Sequence, residues 1–185
     1  MLRDTLQITG DLELRHEMAC ESDPKKRRIL KDAFPDIKHL FSEVNHMGRK
    51  TTWCHIHEKN VPIPGDLDIL FAGFSCKGIN SYNVHHKFAT LWKSSSTGST
   101  LRGVRSYIGM HSPKYVVLEN VRTLLMRHQS GKCMADLIVE FMRKMGYVGT
   151  YIEANANDYF LPQSRNRVWF SSSGQAPRTP TSKGH

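Results

Sequence analysis

A single cysteine follows an apolar run near the middle of the chain. Residues 68–74 read Asp-Ile-Leu-Phe-Ala-Gly-Phe, and Ser75, Cys76 and Lys77 come directly after them. An apolar run of strand length that ends at a glycine turn is typical of a buried strand in an α/β sheet, and such sheets hold reactive groups at the carboxyl ends of their strands. An ionised thiol at that place is a nucleophile that can bond covalently to an electrophilic carbon.

Two later segments carry polar groups that suit the same chemistry. Residues 115–121 form a second apolar run, which delivers Glu119 and Asn120 near its end. A Gln-Ser-Arg-Asn-Arg segment ahead of a further apolar run contributes Gln163, Arg165 and Arg167. A carboxyl group can exchange protons with a bound substrate, and guanidinium groups can hold its oxygen atoms.

The three segments, in this order and at these separations, resemble signature motifs of the cytosine-C5 DNA methyltransferase family. The motifs are its proline-cysteine loop, its Glu-Asn-Val strand end and its Gln-x-Arg-x-Arg segment. Taken alone, each segment also fits a purely structural role. Cys76 could be an inert buried cysteine, Glu119 and Asn120 could cap a strand end, and Arg165 and Arg167 could be a surface pair. Their coincidence in family order favours the functional interpretation.

The resemblance implies a role for each of these residues in methylating C5 of cytosine. Cys76 would add to C6 of the base, which raises the electron density at C5. Glu119, if protonated or sharing a proton with the base, would act at N3 and the exocyclic amine. The remaining substrate contacts would come from Arg165 and Arg167 at the base carbonyl and local phosphate, and from Ser75, Lys77 and Gln163.

S-adenosyl-L-methionine is the methyl donor that the resemblance implies. Glu21 ends a short predicted strand, Asp23 is a predicted helix N-cap, and Pro24 suits the first helical position. An acid at such a strand end accepts hydrogen bonds from ribose hydroxyls in doubly wound folds. For Glu21 the alternative is a surface acid that balances the basic helix. Further cofactor contacts are expected at Ser22, Glu43, Gly73, Phe74, Thr100 and Asn120.

The charge of the chain favours a polyanionic partner. The formal net charge is +9, with basic residues spread along the sequence. A solvated basic surface would explain the same charge. By resemblance the partner is double-stranded DNA, from which the target cytosine must be flipped out of the stack. Residues 80–100, which are polar and lack periodicity, are expected to form a mobile active-site loop.

The patterns and the resemblance together imply an α/β fold with three layers. A mostly parallel sheet of the Rossmann-like, S-adenosylmethionine-dependent methyltransferase type is expected. Residues 1–171 would be a partial catalytic domain, incomplete at both ends because no Phe-x-Gly-x-Gly turn precedes Glu21 and little chain follows Ser171. Residues 172–185 are expected to be a disordered tail. The sequence departs from the family at Ser75, where proline is usual, and at Phe160, where glycine is frequent.

Several classes of protein and of site are not supported by the sequence. It shows neither a membrane span nor a signal peptide, so we expect an intracellular protein, nuclear if the source is eukaryotic and cytoplasmic otherwise. The four cysteines lie far apart without a C-x-x-C pair. His55 and His57 are two residues apart, but no second cluster follows at zinc-like spacing, so no metal is expected.

Two alternatives to a DNA methyltransferase remain open. One is a catalytically inactive fragment that binds nucleic acid through its basic surface. The other keeps the chemistry and changes the substrate to transfer RNA.

Overall fold

The computed structural model describes residues 14–75, 96–127 and 131–174, with side chains from residue 99 onwards in the second range. Cys76 and Lys77 lie outside these ranges, as does most of the predicted loop. The chain divides into two compact units, residues 1–64 and residues 65–185. In the described ranges, no helix combines the length and the apolar character that crossing a bilayer requires.

The first unit contains a parallel strand pair, one helix and a hairpin. Its elements are β1 (Met18–Cys20), α1 (Pro24–Ala33), β2 (His39–Phe41), a short 3-10 turn (Val44–His46), β3 (Thr51–Cys54) and β4 (Lys59–Pro62). β1 and β2 pair in parallel with Cys20 opposite Phe41, while β3 and β4 pair in antiparallel fashion. The carboxyl ends of β1 and β2 therefore lie side by side.

Helix α1 begins as the sequence predicts. The Asp23 carboxylate accepts hydrogen bonds from the backbone N–H groups of Lys25 and Lys26, and Pro24 occupies the first turn. The sequence analysis did not predict the hairpin of β3 and β4. Thr52 and Cys54 are buried and Trp53 is exposed, which is the period-two pattern of a half-buried strand.

The second unit is built around a four-stranded mixed sheet. Its elements are β5 (Ile69–Gly73), α2 (Ser96–His111), β6 (Tyr115–Val121), a 3-10 turn (Arg122–Leu125), α3 (Met134–Lys144), β7 (Tyr147–Asn155), a 3-10 turn (Ala156–Tyr159) and β8 (Asn166–Gly174). The strand order is β5-β6-β8-β7. Only β5 and β6 pair in parallel here, because β8 runs antiparallel to both of its neighbours. The α/β class is confirmed, and the sheet is less parallel than expected.

The two faces of this sheet differ in burial. Val116, Leu118, Val168 and Phe170 are buried on one face, where the Tyr151 hydroxyl donates to Asp136 of α3. The opposite face carries residues that remain exposed to different degrees: Phe71, Val117, Glu119, Ile152 and Trp169. Among the described residues of this unit, no helix forms the third layer expected on that face.

Strand β8 extends three residues past the predicted start of the tail. Ser172 is buried and pairs with both Val116 and Gly149. Backbone pairing on two sides holds this small polar segment in the sheet although its side chains favour disorder. Residues 175–185, the rest of the predicted tail, lie outside the described residues.

Candidate active site

Two predicted catalytic residues meet at the carboxyl ends of β5 and β6. Gly73 and Glu119 are partners across these parallel strands. The guanidinium Nε of Arg167, on β8, donates to Oε1 of Glu119 at 2.7 Å, and both side chains are only about a quarter exposed. The second carboxylate oxygen faces Gly73, where a Cβ atom would lie 3.4 Å from it. The sheet therefore fixes one oxygen of Glu119 and leaves space beside the other.

The peptide group that joins Phe74 to Ser75, one residue before Cys76, is held by hydrogen bonds at both its carbonyl and its N–H. The carbonyl of Phe74 accepts a hydrogen bond from Asn120 Nδ2 at 2.9 Å. The N–H of Ser75, in the same peptide group, donates to Thr100 Oγ1 at 3.0 Å. Asn120 is 2% exposed and belongs to β6, whereas Thr100 belongs to α2. Two elements thus orient the backbone that leads into Cys76, which lies outside the described residues.

A cleft of about 910 Å³ opens on the face of the sheet that carries Glu119. Phe71, Val117, Ile152 and Trp169 give it apolar walls, and the segment after β7 closes it with Tyr159 and Leu161. Its charged groups are Glu119, Arg165 and Arg167. Apolar walls with a few convergent polar groups are the usual composition of a small-molecule site.

The loop between β7 and β8, which carries Arg165, is held by Asn155, a residue that the sequence analysis did not single out. Asn155 Oδ1 accepts hydrogen bonds from the backbone N–H groups of Asn157, at 3.3 Å, and of Arg165, at 2.8 Å. This side chain closes the loop that places Arg165 at the cleft. Gln163 is exposed and outside the cleft lining, and its N–H donates to the carbonyl of Leu161 at 2.7 Å. An asparagine at a strand end is a known turn former, which was the available signal.

Phe160 stands where the resemblance leads one to expect glycine, and its backbone conformation is one that glycine adopts readily. Its backbone has φ of 63°, in the left-handed region that glycine adopts without steric cost. Its side chain is 99% exposed, so no packing compensates for the strain. The turn keeps the conformation that glycine would favour.

The predicted adenosine contacts of the first unit share one edge. Glu21 and Ser22 follow β1, and Glu43 comes two residues after β2 ends. Glu21 Oε1 accepts from the N–H of Asp23 at 2.9 Å, so one of its oxygens helps to form the turn before α1. Arg27 donates to the carbonyls of Glu21 and Ser22, at 2.8 and 2.7 Å. The structural role of Glu21 and a ligand role through its other oxygen are compatible.

Comparisons with known proteins agree with the geometry. A sequence model of the family described as C-5 cytosine-specific DNA methylase matches residues 7–180. A DNA (cytosine-5-)-methyltransferase, DMT5 of Cryptococcus neoformans, is 30% identical over 161 residues, which are 85% of this chain and 6% of that protein. The type II methyltransferase M1.HphI of Haemophilus parahaemolyticus is 25% identical over 153 residues, 83% of this chain and 38% of that protein.

A solved structure shares the fold. The Dnmt2 methyltransferase of S. pombe superposes with a TM-score of 0.58 over 94% of this chain and 47% of that one, at 12% sequence identity. The chain spans less than half the length of each of these three proteins.

Proposed function

The chain belongs to the C-5 cytosine-specific DNA methylase family, and from that premise we propose that it forms the cytosine-binding and reacting part of a DNA (cytosine-5-)-methyltransferase. The observation that carries the proposal is the peptide group between Phe74 and Ser75. It is clamped from two sides one residue before Cys76, beside the end of β6 where Glu119 stands. Such clamping is what a nucleophile needs, because a displacement of about 1 Å can cost 100-fold in rate.

Cys76 supplies the covalent step in this proposal. Its thiolate forms a bond to C6 of the flipped-out cytosine, and the electron pair of the C5–C6 double bond moves to C5. C5 would then take the methyl group of a bound sulfonium donor, whose bond between sulfur and the methyl carbon would break to leave a neutral thioether. Loss of the C5 proton to a base restores the double bond, and the C6–S bond breaks to release the thiolate.

Glu119 and Arg167 act together at the other side of the base. The ion pair fixes the Glu119 carboxyl group through Oε1, so that Oε2 can accept from the exocyclic amine. When Glu119 carries a proton or shares one with the base, it can also donate to N3. Gly73 has no side chain to block that approach. Arg165 lines the same cleft and is exposed, which suits contact with the base carbonyl or a phosphate.

The proposed methyl donor is S-adenosyl-L-methionine, which when bound supplies an electrophilic methyl group on a sulfonium. Glu21 and Ser22 would hold its ribose hydroxyls, and Glu43 its adenine, because carboxylates at the ends of adjacent parallel strands suit hydroxyl and amine donors. The proposed contacts in the second unit are Gly73, Phe74, Thr100 and Asn120. The last two also hold the peptide group between Phe74 and Ser75.

The proposed substrate is DNA, in keeping with the net charge of +9. Flipping one base out of a duplex costs a few kcal/mol, which phosphate contacts along a basic surface can offset. A DNA substrate would place the protein in the nucleus of a eukaryote or the cytoplasm of a bacterium.

Trapping the covalent intermediate tests this function. The 185-residue chain is incubated with S-adenosylmethionine and duplex DNA that carries 5-fluorocytosine. In this base a fluorine replaces the C5 proton that must be lost to release the enzyme, so the covalent adduct persists. We expect an adduct stable to denaturing electrophoresis, absent in Cys76→Ser and retained in the control Cys20→Ser, whose cysteine is exposed in the first unit. Adduct with a 5-fluorocytosine transfer RNA in place of DNA would support the RNA alternative. DNA binding that is equal in both variants, without any adduct, would support the inactive fragment.

A further inference from the structure

Three potential metal ligands converge in the first unit, and none of them is a residue assigned above. His39 lies on β2, Cys54 ends β3, and His57 follows in the hairpin turn. The ligand atoms of the three side chains all lie within 4.8 Å of one another. Cys54 Sγ is 3.3 Å from His57 Nδ1 and 4.0 Å from His39 Nδ1.

These separations match the spacing of ligands around one tetrahedral zinc ion. Zinc–sulfur bonds of about 2.3 Å and zinc–nitrogen bonds of about 2.05 Å, at the tetrahedral angle, put sulfur about 3.6 Å from each nitrogen. The two observed sulfur–nitrogen distances lie on either side of that value. Each of these two distances is therefore within about 0.4 Å of the value expected around zinc.

The surroundings of the sulfur suit a thiolate ligand. Cys54 is fully buried, and the backbone N–H of Leu40 donates to its Sγ at 3.4 Å. The N–H of His55 in turn donates to the carbonyl of Leu40 at 2.7 Å, which ties the hairpin to β2. Hydrogen bonds of this kind orient metal ligands and compensate the charge of a bound thiolate. The exposed His57 leaves a side on which an ion can enter.

We propose that His39, Cys54 and His57 form a binding site for Zn²⁺, with water as the fourth ligand. A thiolate with two imidazoles is a ligand set that favours zinc over magnesium or calcium. Among the described residues the cluster has these three protein members. The ion would link β2 to the end of β3 and so stabilise the first unit. The site is independent of the proposed methyltransferase chemistry.

The sequence spacing did not predict this group of three ligands, because it pointed to a different combination of residues. His55 and His57 were the natural candidates, yet the structure brings Cys54 to His57 and leaves His55 outside the cluster. His39 comes from a separate strand, and its approach depends on the contact between β2 and the hairpin.

Titration with Co²⁺ tests the site, because cobalt replaces zinc and its thiolate bond gives a charge-transfer absorption. The metal-free, reduced 185-residue chain should bind one equivalent with that absorption and with the strong visible bands of four-coordination. Cys54→Ala should abolish the charge-transfer band, and His39→Ala should weaken cobalt binding at least 10-fold. The matched controls Cys20→Ser and His55→Gln should bind as the parent does.

Zinc-dependent stability gives a second readout that does not depend on the spectrum. Zn²⁺ at 100 times its dissociation constant should raise the ratio of folded to unfolded chain about 100-fold in the parent and not in Cys54→Ala. Circular dichroism of each variant without metal shows whether it folds. A parent chain without the charge-transfer band, or a band that persists in a folded Cys54→Ala variant, would overturn the proposal.

Discussion

Replacing Asn120 by alanine measures how the backbone before Cys76 is held. The Asn120 side chain is buried and makes two hydrogen bonds with backbone groups. Its Nδ2 donates to the carbonyl of Phe74 at 2.9 Å, and its Oδ1 accepts from the N–H of Val121 at 2.8 Å. Asn120→Ala removes both and leaves the two backbone groups without these partners.

The expected loss of stability follows from the burial of those groups. An unsatisfied buried polar group costs about 1–3 kcal/mol. Phe74 is 6% exposed and Val121 is partly exposed, so the carbonyl should lie at the upper end of that range and the N–H at the lower end. We expect Asn120→Ala to reduce the free energy of unfolding by about 4 kcal/mol in total, or the melting temperature by roughly 8–16 °C.

Two measurements on matched variants separate stability from positioning. Urea unfolding gives the free-energy change, and the rate of adduct formation with 5-fluorocytosine DNA gives the effect on Cys76. Thr100→Val removes the acceptor for the Ser75 N–H and should act in the same direction, whereas Thr100→Ser keeps the hydroxyl and serves as the control. Because Asn120 and Thr100 hold one peptide group, the double variant should lose less than the sum of the single losses.

Either of two results would refute this reasoning. An unfolding free energy of Asn120→Ala within about 0.5 kcal/mol of the parent would mean that the buried hydrogen bonds contribute nothing. A clear loss of stability with an unchanged adduct rate per folded molecule would mean that the clamp does not position Cys76.

Three further predictions concern the second unit. Hydrogen bonds from the N–H of Cys133, and then from the hydroxyl of Tyr151, lower the pKa of Asp136 below its ordinary value of 3.8. The ionised Asp136 therefore stabilises the fold at pH values above 3.8, and this stabilisation is lost as the pH falls through the lowered pKa. Asp136→Asn should therefore flatten this part of the acid limb in urea unfolding measured between about pH 2 and 7, and an unchanged limb would contradict the assignment. Gly149→Ala places a Cβ against the carbonyl oxygen of Ser171 and should cost about 2–3 kcal/mol of unfolding free energy; the exposed neighbour Thr150→Ala is its control, and equal melting temperatures for the two variants would count against the clash. Phe160→Gly relieves a left-handed backbone and should raise the unfolding free energy by about 1 kcal/mol, whereas a lower value would show that the Phe160 side chain contributes contacts in solution.

Local signals in the sequence predicted much of the fold. Asp23 and Pro24 predicted the start of α1, and Gly146, with φ of 87°, lies just after α3 in the left-handed conformation that often ends a helix. These features depend on the chemistry of neighbouring residues and on backbone preferences. The direction of β8 was not predictable in the same way, because it depends on which edge of β6 is available when β7 and β8 pair.

The sequence placed Glu119 and Arg167 in one site but not in contact. Their ion pair requires the register that sets Val121 opposite Arg167, and register is a property of paired strands. The cluster of His39, Cys54 and His57 was not predicted for the same reason, since its members come from β2, from the end of β3 and from the hairpin turn. Short-range patterns identify the chemistry that a segment carries, and pairing between distant segments decides which groups meet.

The position of β8 also constrains how the protein is made. β8 follows β7 in the chain, yet it lies inside the sheet between β6 and β7. As the chain leaves the ribosome, β6 and β7 must expose facing edges until residue 174 has emerged, and exposed strand edges invite wrong partners. Arg167 reaches Glu119 only when β8 inserts. The contact between Glu119 and Arg167 therefore forms only after β8 has paired, and a ribosome that pauses before β8 would leave the facing edges of β6 and β7 open to association.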